Sequence, residues 1–321
     1  MSNQTETPES PDTRDTHSVQ ADLVAVLLAV TNGEPRVLTT REGRTLPAGP
    51  FTAGHRSLQA SLREWVESQT HHPLGYVEQL YTFPDHERSD ALGMRAISIS
   101  YLGLTRELDD SGVSQPGWQD WYRYFPWEDW RTGEPELVTQ TILPRLREWS
   151  RGAADAALKK RRTQRVAVMF GLSDNEWNEE LVLQRYELLF EAGLVEESRR
   201  YGIASARDVL LPGADMGHDH RRILATGMAR LRAKIKYRPV VFELMPPEFS
   251  LLQLQQTVEA LAGRGLHKQN FRRQIEQQAL VEETGQIAAG TAGRPAKLYR
   301  FRRNVILERA MSGNKLPLAR G

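Results

Sequence analysis

Four runs of apolar residues near the start of the chain predict β-strands. They are "DLVAVLLAV" (22–30), "PRVLTT" (35–40), "YVEQLYTF" (76–83) and "MRAISISYLGL" (94–104), and the turn sequence "TNGE" joins the first two. Between the second and third runs, apolar residues recur at helical spacing in "RSLQASLREWVESQ", with Ser57 in the N-cap position. The pattern predicts strands around an inserted helix, in an α/β domain that extends to about Trp149.

The middle of the chain is predicted to be helical. A helix that begins near residue 136 contains Pro144 as a kink or first-turn residue, and residues 163 to about 238 are predicted to be wholly helical. Apolar positions fall along one side of residues 219–237, which favours spacer or dimerisation helices. The preceding aromatic stretch "GWQDWYRYFPWEDW" (117–130) is predicted to cover the sheet rather than to bind a ligand.

The C-terminal part of the chain has the pattern of two helices joined by a tight turn and followed by a hairpin. Ser250 is predicted to cap the first helix behind the staple residue Phe249, and Gly263 is predicted to end it. The second helix, 267 to about 280, has basic and polar residues in its first turns, and a Gly-rich hairpin follows. This arrangement is typical of a winged helix-turn-helix, whose second helix lies in the major groove of DNA.

The charge distribution supports the same interpretation. The whole chain carries a formal net charge of only +1, with 42 basic and 41 acidic residues. Residues 262–303, however, contain nine Lys or Arg against three Glu, and a second basic run occupies 159–165. Arg and Lys bind guanine edges, Asn and Gln bind adenine edges, and hairpin cations hold phosphates or reach the minor groove. The predicted contacts to DNA are Lys268, Gln269, Asn270, Arg272, Arg273, Arg294, Lys297 and Arg300.

Composition restricts the remaining chemistry. The chain has no cysteine, which excludes disulfides, thiolate metal sites and thiol nucleophiles and fits a reducing cytoplasm. Its longest apolar run, "LVAVLLAV", has the length of a strand and is too short to cross a membrane. Residues 1–19 are polar and are predicted to be disordered. We therefore expect a soluble cytoplasmic protein.

The stretch "LPAGPFTAGHRSLQASLREWVESQT" (46–70) has the spacing of the Nudix signature. That signature places a glycine and a glutamate at fixed distances before the run R-E-U-x-E-E-x-G-U, in which U is bulky and apolar. When Gly49 is taken as the first glycine, Arg63, Glu64 and Glu67 occupy matching positions without a gap. The stretch therefore resembles the Nudix family and implies a Nudix-like fold.

Several positions of the signature are nevertheless changed. His55 and Ser68 stand where the family has glutamates, and Thr70 and His71 replace the glycine and the last apolar residue. In the family, carboxylates on this helix hold divalent cations that polarise a diphosphate and activate water. Histidine is a poor replacement for a carboxylate towards Mg²⁺. We therefore expect no metal site, no catalytic residues and no hydrolase activity.

A degenerate Nudix-like domain followed by a winged helix resembles the Nudix-related transcriptional regulators of NAD metabolism. The likeness covers about 21–301 and is strongest in "YTFPDHERSDALGMRAISISYLGL", in "HRRILATGMARLRAKIKYRPVVFELMPPEFSLLQLQQTVEALAGRGLHKQNFRRQI" and in "GRPAKLYRF". Extra length at 163–214 resembles the alphaproteobacterial NAD biosynthesis repressor group. The resemblance implies a homodimeric repressor that binds a palindromic operator in double-stranded DNA. It implies no required cofactor, but an adenine-nucleotide effector: ADP-ribose, NAD or ATP.

The same resemblance implies that the effector occupies the former diphosphate cleft. The predicted effector-binding residues are Arg41, Arg44, Arg63, Glu64, Glu67, Arg88 and Arg95. For each arginine the alternative is simple surface solvation, and Arg63 has a structural role as a further alternative.

The predicted fold is α+β, with an N-terminal Nudix-like α/β/α sandwich, a helical middle segment and a C-terminal winged helix-turn-helix. The predicted limits are a tail at 1–19, an effector-sensing domain at 20–150, a helical linker or dimerisation segment at 151–238, a DNA-binding domain at 239–305 and a tail at 306–321. Two alternatives stay open. One is an active Nudix pyrophosphohydrolase of ADP-ribose-like substrates with an appended DNA-binding domain, and the other is an interaction protein whose winged helix binds protein.

Overall fold

The computed structural model describes residues 19–51, 57–70, 74–85, 95–107, 117–203, 210–288 and 295–302. None of the helices in these ranges is long and apolar enough to span a bilayer.

A mixed β-sheet is built around the long first strand, β1 (Val19–Thr31). It pairs in parallel with β5 (Arg95–Leu104) and antiparallel with β2 (Glu34–Leu38). Asn32 and Gly33 form the turn between β1 and β2, and their positive φ angles of 53° and 76° suit a two-residue hairpin loop. The turn predicted at "TNGE" is therefore confirmed.

Three further strands complete the sheet. The short β3 (Ala48–Pro50) pairs with β1, β4 (Tyr76–Asp85) pairs with β5, and β6 (Trp118–Asp120) pairs with β2. The strand order is β4-β5-β1-β2-β6, with β3 beside β1. The four strands predicted from apolar runs are all present in this sheet.

Alternating residues of β1 face the two sides of the sheet, as the period of a strand requires. Leu23 and Leu27 belong to the core beneath α1 (Leu58–Thr70), the helix of the Nudix-like stretch. Val26 belongs to the core on the opposite side, beneath α6 (His220–Lys234). The result is the α/β/α sandwich that the sequence predicts.

Helix α6 forms the second layer of this sandwich. A Cβ atom at Gly227 would lie 2.8 Å from Cγ1 of Val26, so only glycine allows the helix to approach the sheet so closely. Ile223, Met228 and Leu231, which in sequence suggest a spacer or dimerisation face, are fully buried within the same chain. Periodicity identifies a buried face, but it does not identify the partner that covers it.

A helical layer lies between β6 and α6 in the chain. It contains α2 (Leu143–Arg151), α3 (Ala156–Phe170), α4 (Val182–Glu191) and α5 (Glu196–Arg200). Pro144 lies in the first turn of α2, directly after a π-helical turn at Val138–Ile142. The prediction that residues 163–238 are wholly helical is wrong, because Gly171 ends α3 with a φ of 66° and residues 210–219 are not helical.

The aromatic stretch between β6 and α2 is part of the core. Trp121, Tyr124, Phe125 and Trp127 are all fully buried, and Phe125 packs edge-on against Trp127 with ring centroids 6.0 Å apart. The prediction that this stretch packs on the sheet is confirmed.

The C-terminal part of the described chain has the winged helix arrangement. Helix α7 (Leu251–Ala262) starts at a capping box of Ser250 with Gln253 and ends at Gly263, whose φ is 70°. Helix α8 (Lys268–Gln277) follows, and then the hairpin of β7 (Val281–Ile287) and β8 (Lys297–Phe301). These bounds confirm the predicted caps, turn and hairpin.

Candidate DNA-binding and nucleotide-binding sites

Helix α8 presents a polar face that no described part of the chain covers. Phe271 is buried and Ile275 half-buried, so these two side chains attach the helix to α7 and the hairpin. The residues predicted to contact DNA on this helix are all exposed, namely Lys268, Gln269, Asn270, Arg272 and Arg273. The first two turns of α8 therefore place amides and cations together on one surface.

The hairpin presents its cations differently. Lys297 pairs with Glu283 across the two strands at 2.9 Å, and Arg300 pairs with Glu282 at 2.6 Å. Both pairs are solvent-exposed, so each is weak and a phosphate could displace the carboxylate. Arg294, the third predicted cation of the hairpin, lies outside the described residues.

The frame of the Nudix-like stretch is preserved by packing. A Cβ atom at Gly49 would lie 2.3 Å from the indole of Trp65, so this residue must be glycine for β3 to pass α1. Ser57 caps α1 through its Oγ, which accepts a hydrogen bond from the amide of Ala60 at 3.1 Å. The signature spacing thus corresponds to a real loop and helix.

Arg63 is used to hold the chain after α1. Its guanidinium donates hydrogen bonds to the carbonyl oxygens of Leu74 and of Gly75, the latter at 3.0 Å. This geometry favours the structural role over the effector-binding role. Its partners are backbone carbonyls, which sequence spacing cannot identify.

The two retained glutamates of the box, Glu64 and Glu67, lie exposed on α1. The Ser68 hydroxyl donates to the carbonyl of Trp65 at 2.8 Å, an ordinary bond within the helix. No group of three or more His, Asp or Glu side chains among the described residues could hold a metal ion. His55 and Arg88 lie outside the described residues, and of Arg95 only the backbone, in β5, is described.

A cavity of about 250 Å³ lies next to this stretch, where the turn after β2 meets the start of α6. Its lining residues are Thr40, Arg41, Thr45, Leu46, Ala48, His218 and His220. The turn that carries Arg41 is unusual, because Arg41 and Glu42 both have positive φ angles, 50° and 59°. Arg44 belongs to the same turn and is exposed, but it does not line the cavity.

His218 and His220 are residues that sequence reasoning missed. His220 is 2% exposed, and its Nδ1 accepts a hydrogen bond from the amide of Leu46 at 2.9 Å. This bond fixes the start of α6 against the Nudix-like loop over 174 residues of sequence. The run "GHDH" (217–220), which ends on the first residue of α6, was the available signal, because it places two histidines at the start of a helix.

These features define a class of protein: a degenerate Nudix-like fold joined to a C-terminal winged helix. Residues 241–301, about a fifth of the chain, match the NrtR DNA-binding winged helix domain. The chain is 43% identical over 88 residues to the "ADPR responsive transcriptional repressor NtrR" of Acinetobacter baylyi, a match that spans 27% of this chain and 34% of that relative.

Solved structures extend the comparison to the whole fold. The crystal structure of Shewanella oneidensis NrtR is 18% identical, covers 89% of this chain and 95% of its own, and superposes with a TM-score of 0.50. Its complex with a 27mer DNA is 20% identical, with coverages of 89% and 94% and a TM-score of 0.48. The first of these two superpositions shows that the chain shares the fold of Shewanella oneidensis NrtR.

Proposed function

We propose that this protein is a transcriptional repressor that binds operator DNA before genes of NAD biosynthesis or salvage. The observation that carries the proposal is the exposed face of α8, in which amides and cations occupy the first two turns of an NrtR-type winged helix. A cytoplasmic location belongs to this proposal, since the operator lies there.

Recognition of DNA follows from the geometry of α8. The helix enters the major groove with its first turns at the base edges, where Gln269 and Asn270 pair with adenine and Arg273 with guanine. Lys297 and Arg300 leave their carboxylate partners on the hairpin and contact phosphates. Two copies of the chain bind the two halves of a palindromic operator, with their α8 helices about one helical turn apart, roughly 34 Å.

An adenine-nucleotide effector controls this binding. The cavity beside the Nudix-like loop supplies one cation, Arg41, and two imidazoles, His218 and His220, at the N-terminal end of α6, which suits a phosphate group. The Acinetobacter relative is named as ADPR-responsive, which favours ADP-ribose over NAD and ATP as the effector. The cavity of about 250 Å³ accommodates part of such a molecule.

Effector binding takes place without turnover. Glu64 and Glu67 are the box's surviving acids, and the box carries Ser68 and His55 where the signature has glutamates. Among the described residues no third carboxylate or histidine joins these two to form a metal site, and two exposed carboxylates hold Mg²⁺ weakly. Mg²⁺-dependent cleavage of ADP-ribose that is lost in Glu64→Gln and Glu67→Gln would instead establish the hydrolase alternative.

The test is fluorescence anisotropy with a labelled duplex from upstream of NAD biosynthesis genes, titrated with the full chain with and without ADP-ribose, NAD or ATP. We expect specific binding that one of these nucleotides changes. Arg272→Ala together with Arg273→Ala weakens it at least tenfold, since each base or phosphate contact contributes about 1 kcal/mol or more. Arg147→Ala with Arg151→Ala is the matched control, because it removes two arginine charges from exposed positions of α2, outside both basic segments. Equal losses in the two double variants would refute the assignment of α8.

A further inference from the structure

The turn between α7 and α8 is bonded to the Nudix-like domain through main-chain atoms. The hydroxyl of Tyr122 donates to the carbonyl of Ala260 at 2.7 Å, and the amide of Trp130 donates to the carbonyl of Gly263 at 2.7 Å. Arg232 Nε donates to the carbonyl of Leu261 at 2.9 Å. The terminal carbonyls of α7, which have no partner within the helix, therefore accept hydrogen bonds from the neighbouring domain.

A buried ion cluster lies directly beneath this turn. Glu128, from the aromatic stretch, accepts two hydrogen bonds from Arg185 of α4 at 2.6 and 2.7 Å and one from Arg232 of α6 at 2.8 Å. All three side chains are completely buried. The carboxylate of Glu128 thus connects three parts of the fold: the aromatic stretch after β6, helix α4 of the helical layer and helix α6, which contacts the winged helix.

Arg232 uses every donor of its guanidinium. Its five hydrogen bonds go to Leu261 O, Glu128 Oε2, Glu179 O, Tyr122 Oη and Glu128 O, at 2.8 to 3.3 Å. A guanidinium held in this way cannot rotate to another rotamer without losing several buried bonds. The side chain therefore has one orientation relative to α7.

Gly263 brings the two domains into direct contact. Its φ is 70°, and a Cβ atom there would lie 2.4 Å from the carbonyl oxygen of Glu128 and 2.5 Å from Nη2 of Arg232. Any other residue at this position would push the turn away from the cluster.

The helical layer supports the same turn from outside. Glu179 lies 3.6 Å from Arg264 and 2.9 Å from Lys236, and Trp177 stacks on Trp130 with ring centroids 4.8 Å apart. Burial opposes ionisation of Glu179, but the bonds from Lys236 and the backbone outweigh it and lower its pKa below the ordinary value. Glu179 is thus a carboxylate at neutral pH, bound to the residue that follows Gly263.

We propose that Glu128 and Arg232 are positioning residues for DNA recognition. They fix the turn before α8 on the Nudix-like fold, so that the sensor and the recognition helix of one protomer move as a single rigid body. The effector then acts on DNA binding by changing the arrangement of two protomers, because a rigid protomer has no internal hinge at this point. The inference rests on the proposed repressor function and specifies how its signal is transmitted.

Gly263→Ala tests the positioning role, and Gly202→Ala is its control. Gly202 has nearly the same φ, 69°, but a Cβ there meets nothing within 4 Å. Gly202→Ala therefore introduces the same backbone strain as Gly263→Ala without displacing a neighbouring segment. We expect Gly263→Ala to weaken operator binding at least tenfold while binding to random-sequence DNA stays within twofold, and Gly202→Ala to change neither. The contact between the Nudix-like fold and the turn 260–264 before α8 is called the seam below. Tyr122→Phe removes two hydrogen bonds of this seam but adds no atoms, so it should cause a smaller loss of operator binding than Gly263→Ala. Equal specific binding in Gly263→Ala and Gly202→Ala would overturn the proposal.

The rigidity of the contact between the two domains is tested by an engineered disulfide across the seam. Trp130 and Arg264 are bridge partners and the natural chain has no cysteine, so Trp130→Cys with Arg264→Cys introduces a single disulfide. We expect the oxidised and reduced forms to bind operator and to respond to the effector alike. A response that is present only in the reduced form would establish a hinge and overturn the proposal.

Unfolding of the wild-type chain in urea provides a readout that needs neither effector nor operator. Tryptophan fluorescence reports the Nudix-like domain and helical layer, while hydrogen exchange of α8 amides reports the winged helix. A rigid body requires the two transitions to coincide, and earlier opening of α8 would refute it. If the transitions coincide but the protein binds no operator, the proposed repressor function is refuted, whereas the rigid contact between the two domains is supported.

Discussion

Removing the charge of Glu128 should destabilise the protein far more than removing an exposed glutamate. Glu128→Gln leaves Arg185 and Arg232 buried without their anion, and breaking a buried ion pair in this way costs about 3–5 kcal/mol. For a chain of this size 1 kcal/mol corresponds to about 1.5 °C, so the melting temperature should fall by roughly 4–8 °C.

Glu191→Gln is the matched control for this prediction. Glu191 pairs with Arg165 at 2.6 Å, the same length as the shortest bond of Glu128, but its side chain is 46% exposed. Such a pair contributes about 0–1 kcal/mol, and the melting temperature should fall by about 2 °C at most. The assay is thermal unfolding followed by circular dichroism at neutral pH. Similar shifts in the two variants would refute the argument that burial, rather than bond length, sets the contribution of the cluster.

Three further predictions concern other parts of the molecule. Gly49→Ala should lower the free energy of unfolding in urea by about 1–3 kcal/mol because its methyl group overlaps Trp65, and an unchanged midpoint would contradict this packing. Arg272→Ala should reduce the slope of log K against log salt for DNA binding by about 1, whereas an unchanged slope would mean that the side chain touches no phosphate. Glu78 is partly buried, which opposes its ionisation, but hydrogen bonds from Lys234 and a neighbouring tyrosine outweigh burial and lower its pKa below 4.5. Its ionisation therefore stabilises the fold above the unfolded pKa, and this stabilisation is lost as pH falls through the folded pKa. Wild type and Glu78→Gln should differ in stability at pH 7 and converge as the pH falls below the lowered folded pKa of Glu78, and a constant difference would exclude the linkage.

Features of the fold that depend on neighbouring residues could be predicted from the sequence. The capping box at Ser250, the stop at Gly263 and the turn at Asn32 and Gly33 depend on residues within a few positions of each other, and each is confirmed. The polar face of α8 was equally predictable, because its helical spacing separates Phe271 from the exposed amides and cations.

Contacts between residues far apart in the sequence could not be predicted. Arg185 and Arg232 stand in helices as ordinary basic residues, and their common partner Glu128 lies 57 and 104 positions away. Sequence patterns favour such residues as solvated surface, since buried arginines are rare unless paired. His220 was missed for the same reason, because its contact with Leu46 spans 174 residues.

The seam at Gly263 has a consequence for the modularity of the protein. A fragment that begins near residue 239 would retain α7, α8 and the hairpin, but it would leave the carbonyls of Leu261 and Gly263 without their partners and expose the apolar side of α7. Fusion of this fragment to another sensor would require Glu128, Arg232 and the part of α4 around Arg185 to be transferred with it. The smallest fragment that keeps these contacts around the winged helix is therefore discontinuous, and it includes residues of the Nudix-like domain.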